Sequence, residues 1–124
     1  WTFTSDGMRL TLSREIPEFV ARELRPLVDQ WLLGLALTRS KIAHYILHPG
    51  GQKVLEAYRR GFDLDEVMLK PVRDSIRRFG NLSSASVLFM LQDLLASGRA
   101  RVGEKGLMLA LGPGFATEML LLGW

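Results

Sequence analysis

Two short motifs hold the side chains best suited to chemistry. The first is His48-Pro49-Gly50-Gly51 and the second is Gly80-Asn81-Leu82-Ser83-Ser84-Ala85-Ser86, so His48 and Asn81 lie 33 residues apart. Each motif precedes a predicted helix, where free backbone amides are open to a ligand. Histidine and asparagine can stabilise a reacting oxygen, but neither has an evident nucleophile to serve, since the chain contains no cysteine. The pair therefore predicts half of an active site.

The glycines of the first motif extend this hypothesis. His48 ends a predicted strand, and open α/β sheets bind ligands at the carboxyl ends of their strands. Gly50 and Gly51 leave the amides at the start of the next helix open to an anionic or carbonyl oxygen. A structural interpretation competes: Pro-Gly-Gly is also a plain turn, and Asn81 is typical of a helix end. Each motif alone fits that interpretation, and only the pair favours a site.

Composition limits the remaining possibilities. A chain of 124 residues that is 48% hydrophobic can form one domain or a piece of one. Its net charge of +3 is spread along the sequence and demands no nucleic acid. Apolar stretches at 31–37 and 119–122 are far shorter than the roughly 20 residues that span a bilayer, so no membrane segment is predicted. Without cysteine there is no disulfide framework, and a cytoplasmic location is the default expectation. The first residues resemble neither a start nor a signal peptide, which predicts that the chain begins inside a longer protein.

Periodicity and turn residues predict an α/β layer fold with a mixed sheet that ends in a β-hairpin. Strands are predicted at 2–4, 8–12, 41–47, 107–111 and 116–122. Helices are predicted to begin at Pro17, to kink or restart at Pro26, to cover 52–60 up to Gly61, to run from Pro71 to Gly80, and to follow the capping pair Ser83-Ser84. The predicted buried stripes are Leu27, Trp31 and Leu35, then Val72, Ile76 and Phe79, then Val87, Leu88, Leu91, Leu94 and Leu95.

Taken in order, the two motifs and the later Gly112-Pro113-Gly114 resemble the C-terminal half of the chalcone and stilbene synthases, the type III polyketide synthases. The resemblance runs from about Gly7 to Trp124 and includes the stretch from Leu10 to Val20. It implies a thiolase-like fold of two similar α/β halves in a homodimer. Residues 1–124 would then be part of the C-terminal domain, without the N-terminal half that carries the nucleophile, and inactive alone.

The resemblance also implies a reaction. In this family a cysteine thiolate accepts an acyl group from a coenzyme A thioester, malonyl-coenzyme A loses carbon dioxide, and the resulting enolate attacks the enzyme-bound acyl group. His48 and Asn81 correspond to the residues that donate hydrogen bonds to the thioester oxygen as it becomes an enolate oxygen. An imidazolium at His48 would also keep the thiolate ionised. Acyl-coenzyme A and malonyl-coenzyme A are the implied substrates, and no cofactor or metal is implied.

Two positions depart from the family pattern. Leu10 stands where plant members carry a gatekeeping phenylalanine, and residues 110–114 read Ala-Leu-Gly-Pro-Gly instead of Gly-Phe-Gly-Pro-Gly. By the resemblance, Leu10 and the loop of Gly112, Pro113 and Gly114 shape the substrate pocket, as Gly50 and Gly51 border it. The departures predict a bacterial-like member with a different pocket.

Other interpretations remain open. A ketoacyl-synthase-III-like condensing enzyme shares the fold, but such enzymes usually have Gln-Ala-Asn after the histidine, where this chain has residues 49–51. Residues 81–111 also permit a winged-helix DNA-binding module with a wing tip at 103–106, although the helix has no basic surface. His44 and His48 would lie about 13 Å apart on a strand, too far for one metal ion. Arg73, Arg77 and Arg78 are expected on a solvated helix face.

Overall fold

The computed structural model describes residues 2–9, 15–112, 114 and 116–124. The strands are β1 (Thr2–Thr4), β2 (Gly7–Arg9), β3 (His44–Leu47), β4 (Lys105–Leu111) and β5 (Thr117–Gly123). The α-helices are α1 (Ile16–Phe19), α2 (Arg25–Gly34), α3 (Gln52–Phe62), α4 (Glu66–Phe79) and α5 (Ala85–Ala96). A π-helical turn, Val20–Leu24, joins α1 to α2, and a 3₁₀ turn, Arg39–Lys41, precedes β3.

The central sheet is mixed, with strand order β3-β4-β5. β3 pairs with β4 in parallel, so that Leu47 lies level with Leu109, and β4 pairs with β5 as an antiparallel hairpin. The chain leaves β3, passes through α3, α4 and α5, and returns to β4, which is the crossover that a parallel pair requires. β1 and β2 form a separate hairpin. The mixed sheet and the terminal hairpin are as predicted, and so is the turn between the first two strands.

Strand β3 is buried on both sides. Tyr45 lies 6.4 Å from Phe62 of α3, measured between ring centroids. Ile46 lines a cavity of about 190 Å³ together with Met90 and Leu94 of α5. Because successive side chains of a strand point to opposite faces, the face of Ile46 is the α5 face of the sheet, and His44 shares it.

Two helix boundaries that were predicted from proline and glycine are wrong. α4 begins at Glu66, not at Pro71, because the Asp65 side chain caps it by accepting the Met68 N–H at 2.8 Å. α3 does not stop at Gly61 but continues to Phe62 and ends at Asp63, which takes a left-handed conformation with φ of 55°. Gly61 serves packing instead, since a Cβ there would lie 3.2 Å from the Val20 carbonyl oxygen. By contrast, Pro26 does restart the helix, one residue into α2.

The predicted buried stripes were partly wrong. In the first helical stretch the buried residues are Val20, Leu24, Val28 and Leu32, while Leu27 and Leu35 are exposed. In α5 the buried apolar residues are Val87, Met90 and Leu94, whereas Leu88 is 60% and Leu95 57% exposed. Both segments carry apolar residues on several faces, so periodicity cannot choose the one that meets the sheet. β3 also starts at His44, because the 3₁₀ turn occupies the start of the predicted strand.

Candidate functional site

Topology brings the three predicted motifs to one edge of the sheet. β3 and β4 run in parallel, so the turn after Leu47 and the loop after Leu111 leave from the same edge. α5 packs against both strands and leads directly into β4, so it runs antiparallel to them. Its amino terminus, preceded by Asn81, therefore lies at that same carboxyl edge. Open α/β sheets bind ligands at such an edge.

His48 extends the hydrogen-bonded pairing of β3 with β4 by one residue. Its backbone N–H donates to the Leu109 carbonyl oxygen at 2.9 Å, and the alternation of the strand places its ring on the α5 face. The ring is partly buried, and within the described part of the chain its Nδ1 is buried without a hydrogen-bond partner. Burial lowers the pKa of His48 below its usual value of 6.5. The imidazole of the folded chain is therefore neutral at pH 7, and Nε2 is the nitrogen left for a ligand.

An imidazolium at His48 stays a prediction. Burial lowers the pKa of His48 and favours the neutral imidazole, which carries one N–H donor. An anionic neighbour supplied from elsewhere would shift the pKa of His48 the other way and favour its charged form.

The glycines after His48 allow a sharp entry into α3. Gly51 is the N-cap residue of α3 and has a φ of 96°, which residues with a Cβ rarely adopt. Its carbonyl oxygen accepts the N–H groups of Val54 and Leu55 at 3.1 and 3.0 Å. A Cβ on Gly50 would lie only 2.7 Å from Cγ2 of Val54. The motif is thus a turn, as the structural interpretation held, and it also keeps the backbone beside His48 free of side chains.

Asn81 is held by its own loop. Gly80 ends α4 with a φ of 72°, and its N–H donates to the Ile76 carbonyl oxygen at 2.9 Å. Asn81 is exposed, and its Oδ1 accepts the Ser83 N–H at 2.8 Å. With Oδ1 so engaged, Nδ2 makes no hydrogen bond to the described residues. Asn81 is therefore oriented to offer a donor that does not titrate.

The predicted Ser83-Ser84 cap was only half right. Ser84 occupies the cap position of α5, but its side chain makes no capping hydrogen bond. The loop's backbone donors go to Asn81 and to Ser86, whose Oγ accepts the Leu82 N–H at 2.9 Å.

The loop between β4 and β5 is described in part. Gly112 donates its N–H to the Ala116 carbonyl oxygen at 2.7 Å, which closes the hairpin, and Gly114 has a φ of 69°. Both lie at the same edge as His48. Leu10 and Pro113 are outside the described residues, so their predicted place in a pocket stays a prediction.

At the opposite edge of the sheet, His44 makes two contacts that the sequence did not predict. His44 Nε2 lies 2.7 Å from Glu104 Oε2, and the His44 ring meets Trp124 edge-on with centroids 5.3 Å apart. The Glu104 carboxylate also accepts the Arg101 N–H, and both hydrogen bonds lower the pKa of Glu104. The partners of His44 are 60 and 80 residues away in sequence. No local pattern could reveal them.

The winged-helix interpretation is wrong for the described residues. β4 begins at Lys105, inside the predicted wing tip, and pairs in parallel with β3. Arg77 and Arg78 of α4 are exposed as predicted, whereas Arg73 is partly buried. Two of the three form ion pairs: Arg73 lies 3.1 Å from Glu66, and Arg78 lies 2.6 Å from Asp93.

The described fold is the thiolase-like fold of the type III polyketide synthases. Its structure matches that of the 1,3,6,8-tetrahydroxynaphthalene synthase of Streptomyces coelicolor A3(2), a bacterial type III polyketide synthase, with a TM-score of 0.91 and 27% identity over 99% of this chain and 35% of that chain. The polyketide synthase PKS-I of the brown alga Ectocarpus siliculosus matches with a TM-score of 0.87 and 26% identity over 98% of this chain and 34% of that one.

Residues 2–123 match the family model of the C-terminal domain of chalcone and stilbene synthases, and the chain belongs to that family. It is 37% identical, over its whole length, to the 1,3,6,8-tetrahydroxynaphthalene synthase of Streptomyces peucetius subsp. caesius, of which it covers 33%. It is 34% identical, again over its whole length, to the 3,5-dihydroxyphenylacetyl-CoA synthase of Amycolatopsis orientalis, of which it covers 34%. The chain thus spans about a third of the length of the curated relatives it matches.

None of the helices in the described ranges combines the length and the apolar character needed to cross a membrane.

The contact at Gly50 gives a testable prediction. Gly50→Ala should destabilise the chain by about 1–3 kcal/mol, because its new methyl group overlaps Val54, a β-branched residue with little rotamer freedom in a helix. The double variant Gly50→Ala/Val54→Ala should lose less than the sum of the two single variants. Urea unfolding of all four proteins measures this coupling, and strict additivity would contradict the contact.

The buried imidazole of His48 gives a pH prediction. In the unfolded chain the pKa of His48 returns to about 6.5, so below that pH the unfolded chain binds more protons than the folded one. The contribution of neutral His48 to the free energy of unfolding is therefore fully present above pH ~6.5. It is lost as the pH falls through the lowered pKa of His48.

We expect the melting temperature to fall more steeply between about pH 7.5 and about pH 5 in the original chain than in His48→Gln. His44 is present in both proteins, so its titration cancels in the comparison. Parallel curves would show that His48 is not desolvated.

Proposed function

We propose that this chain supplies the oxygen-stabilising side of a decarboxylative condensation site in a type III polyketide synthase. The observation that carries the proposal is that His48 and Asn81 lie at one edge of the sheet, where each has a side-chain nitrogen that could donate to a ligand. Donors fixed in advance around a developing negative charge are worth about 2.7–4 kcal/mol each. Donors that are already in place stabilise the charge as it forms, and the Asn81 amide does so at any pH near neutrality because it does not titrate.

The proposed reaction uses two coenzyme A thioesters. A malonyl thioester loses carbon dioxide, and the electron pair of the broken carbon–carbon bond moves into the thioester as an enolate. Nε2 of His48 and Nδ2 of Asn81 donate to the enolate oxygen. The enolate carbon then attacks an acyl group held on a cysteine thiolate, a new carbon–carbon bond forms, and the thiolate leaves. One of the relatives is named as an acyl-CoA synthase, which agrees with thioester chemistry.

The cysteine must come from outside this chain, which contains none. We infer that it lies in the remaining two thirds of a protein as long as the relatives, working in the cytoplasm as a homodimer without a cofactor. A nearby thiolate would raise the pKa of His48 and could then recruit the imidazolium form. The backbone at Gly50 and Gly51 would border the thioester, and Leu10, Gly112, Pro113 and Gly114 would shape the cavity for the growing chain.

The proposal predicts the effect of removing either donor. In the intact protein, His48→Ala or Asn81→Ala should lower kcat for malonyl-coenzyme A decarboxylation by about 10²–10³-fold, because each loses a donor to the enolate oxygen. The measurement is carbon dioxide release under saturating substrate. Asn81→Ala removes one exposed hydrogen bond, to the Ser83 N–H, so it should lower the free energy of unfolding by only about 1 kcal/mol. His44→Gln, at the opposite edge, is the matched control and should keep its kcat. Unchanged turnover in both donor variants would refute the assignment.

An uncovered apolar surface supports the larger assembly. Leu88 and Leu95 of α5 and Leu120 of β5 are each more than half exposed. Leu120 lies level with Met108 and, by strand alternation, on the α5 face of the sheet. Large apolar side chains exposed together mark an interface. Since the relatives are about three times as long as this chain, we propose that the rest of the same enzyme covers this surface.

The apolar surface gives a prediction with opposite outcomes in two proteins. Leu88→Asp/Leu95→Asp should lower the melting temperature of the intact protein, because two carboxylates would be buried without partners. In the 124-residue chain alone the same change should reduce binding of a hydrophobic dye without loss of secondary structure. Leu33→Asp, on another exposed leucine at 72%, is the control and should leave the intact protein unaffected. An intact double variant as stable as the original would contradict the interface.

A further inference from the structure

The loop before α5 contains an unusual arrangement of hydrogen bonds. Two consecutive backbone N–H groups, those of Leu82 and Ser83, donate to side chains instead of carbonyl groups. The Ser83 N–H donates to Oδ1 of Asn81, which orients the amide. The Leu82 N–H donates to Oγ of Ser86, and Ser86 is only 1% exposed. The Ser86 hydroxyl group thus connects the loop to the buried face of α5.

The same loop holds a strained backbone. Ser83 has a φ of 57°, a left-handed conformation that serine adopts rarely and at a cost of about 1–3 kcal/mol. The Ser83 carbonyl oxygen accepts the Ser86 N–H at 3.1 Å, so Ser86 holds this loop both through its backbone and through its hydroxyl group. A strained conformation persists only where its surroundings fix it, and Ser86 is the buried part of those surroundings.

We propose that Ser86 is the positioning residue for Asn81. Without the hydroxyl group, the Leu82 N–H loses its acceptor and the strained Ser83 conformation loses a constraint. The Ser83 N–H then moves away from Oδ1, and the amide of the exposed Asn81 is free to rotate. Nδ2 would no longer point in one direction. The effect on catalysis rests on the proposed function, whereas the effect on the orientation of Asn81 does not.

The sequence allows a direct test, because Asn81 is the only asparagine of the chain. Labelling with ¹⁵N-asparagine therefore gives one pair of side-chain amide signals in an NMR spectrum. We expect Ser86→Ala to shift these signals and to move them toward those of a free amide, and Ser86→Thr, which keeps a hydroxyl acceptor, to restore them.

Ser75→Ala is the matched control. Ser75 is also buried, at 2% exposure, but its Oγ has no hydrogen-bond partner among the described residues. Removing that hydroxyl group should leave the Asn81 signals in place. Equal shifts in Ser75→Ala and Ser86→Ala, or no shift in Ser86→Ala, would overturn the proposal.

Kinetics of the intact protein provide the second measurement. Ser86→Ala should lower kcat for malonyl-coenzyme A decarboxylation about tenfold with little change in KM, because the donor is misplaced but still present. Ser86→Thr should recover kcat, and Ser75→Ala should not lose it. If Asn81→Ala itself leaves kcat unchanged, the proposed donor role of Asn81 fails, and the amide signals still decide whether Ser86 positions Asn81.

Discussion

The parallel pairing of β3 with β4 is the constraint on which the rest of the structure depends. It joins residues about 60 positions apart and sets Leu47 level with Leu109, while the His48 N–H extends the ladder by one further bond. A parallel pair cannot be closed by a tight turn, so the three helices between the strands must cross over the sheet. That crossover makes α5 antiparallel to both strands. The carboxyl ends of the strands and the amino end of α5 are thereby placed at one edge, and the candidate site follows from this.

Among local features, the sequence predicted the turns with positive-φ glycine best, whereas Pro71 and Gly61 did not mark helix boundaries as predicted and Ser84 makes no capping hydrogen bond. Gly51 and Gly80 take positive φ values at the helix boundaries where their motifs placed them, because only glycine adopts these values without strain. It predicted poorly whatever depends on contacts at a distance. Leu88 and Leu95 resemble Val87 and Leu94 in type, so the choice of the buried face of α5 is made by the sheet alone. The pairing of His44 with Glu104 is equally invisible in the sequence, since 60 residues separate the two and only the pairing of β3 with β4 brings them together.

Two features of the candidate site lower the stability of the fold. His48 places a ring nitrogen in the interior without a partner, and Ser83 adopts a left-handed conformation. The partly buried His48 ring follows the buried strand β3, and the exposed Ser83 is tied by its backbone to Ser86, which is buried in α5. Such local costs concentrate where function requires a fixed geometry. Here they accompany a desolvated imidazole and an amide whose oxygen is held by the loop.

Two features that look like defects in an isolated domain have one physical explanation. The chain presents two candidate donors but no cysteine to hold an acyl group, and it presents leucines to solvent on the side of the sheet where those candidate donors lie. A low-dielectric environment is what makes a pair of neutral hydrogen bonds effective, because water would otherwise compete for the same oxygen. In the proposed function, the rest of the enzyme covers Leu88, Leu95 and Leu120 and brings the cysteine to His48 and Asn81. One proposed partner would thus account both for the exposed leucines and for the cysteine that this chain lacks.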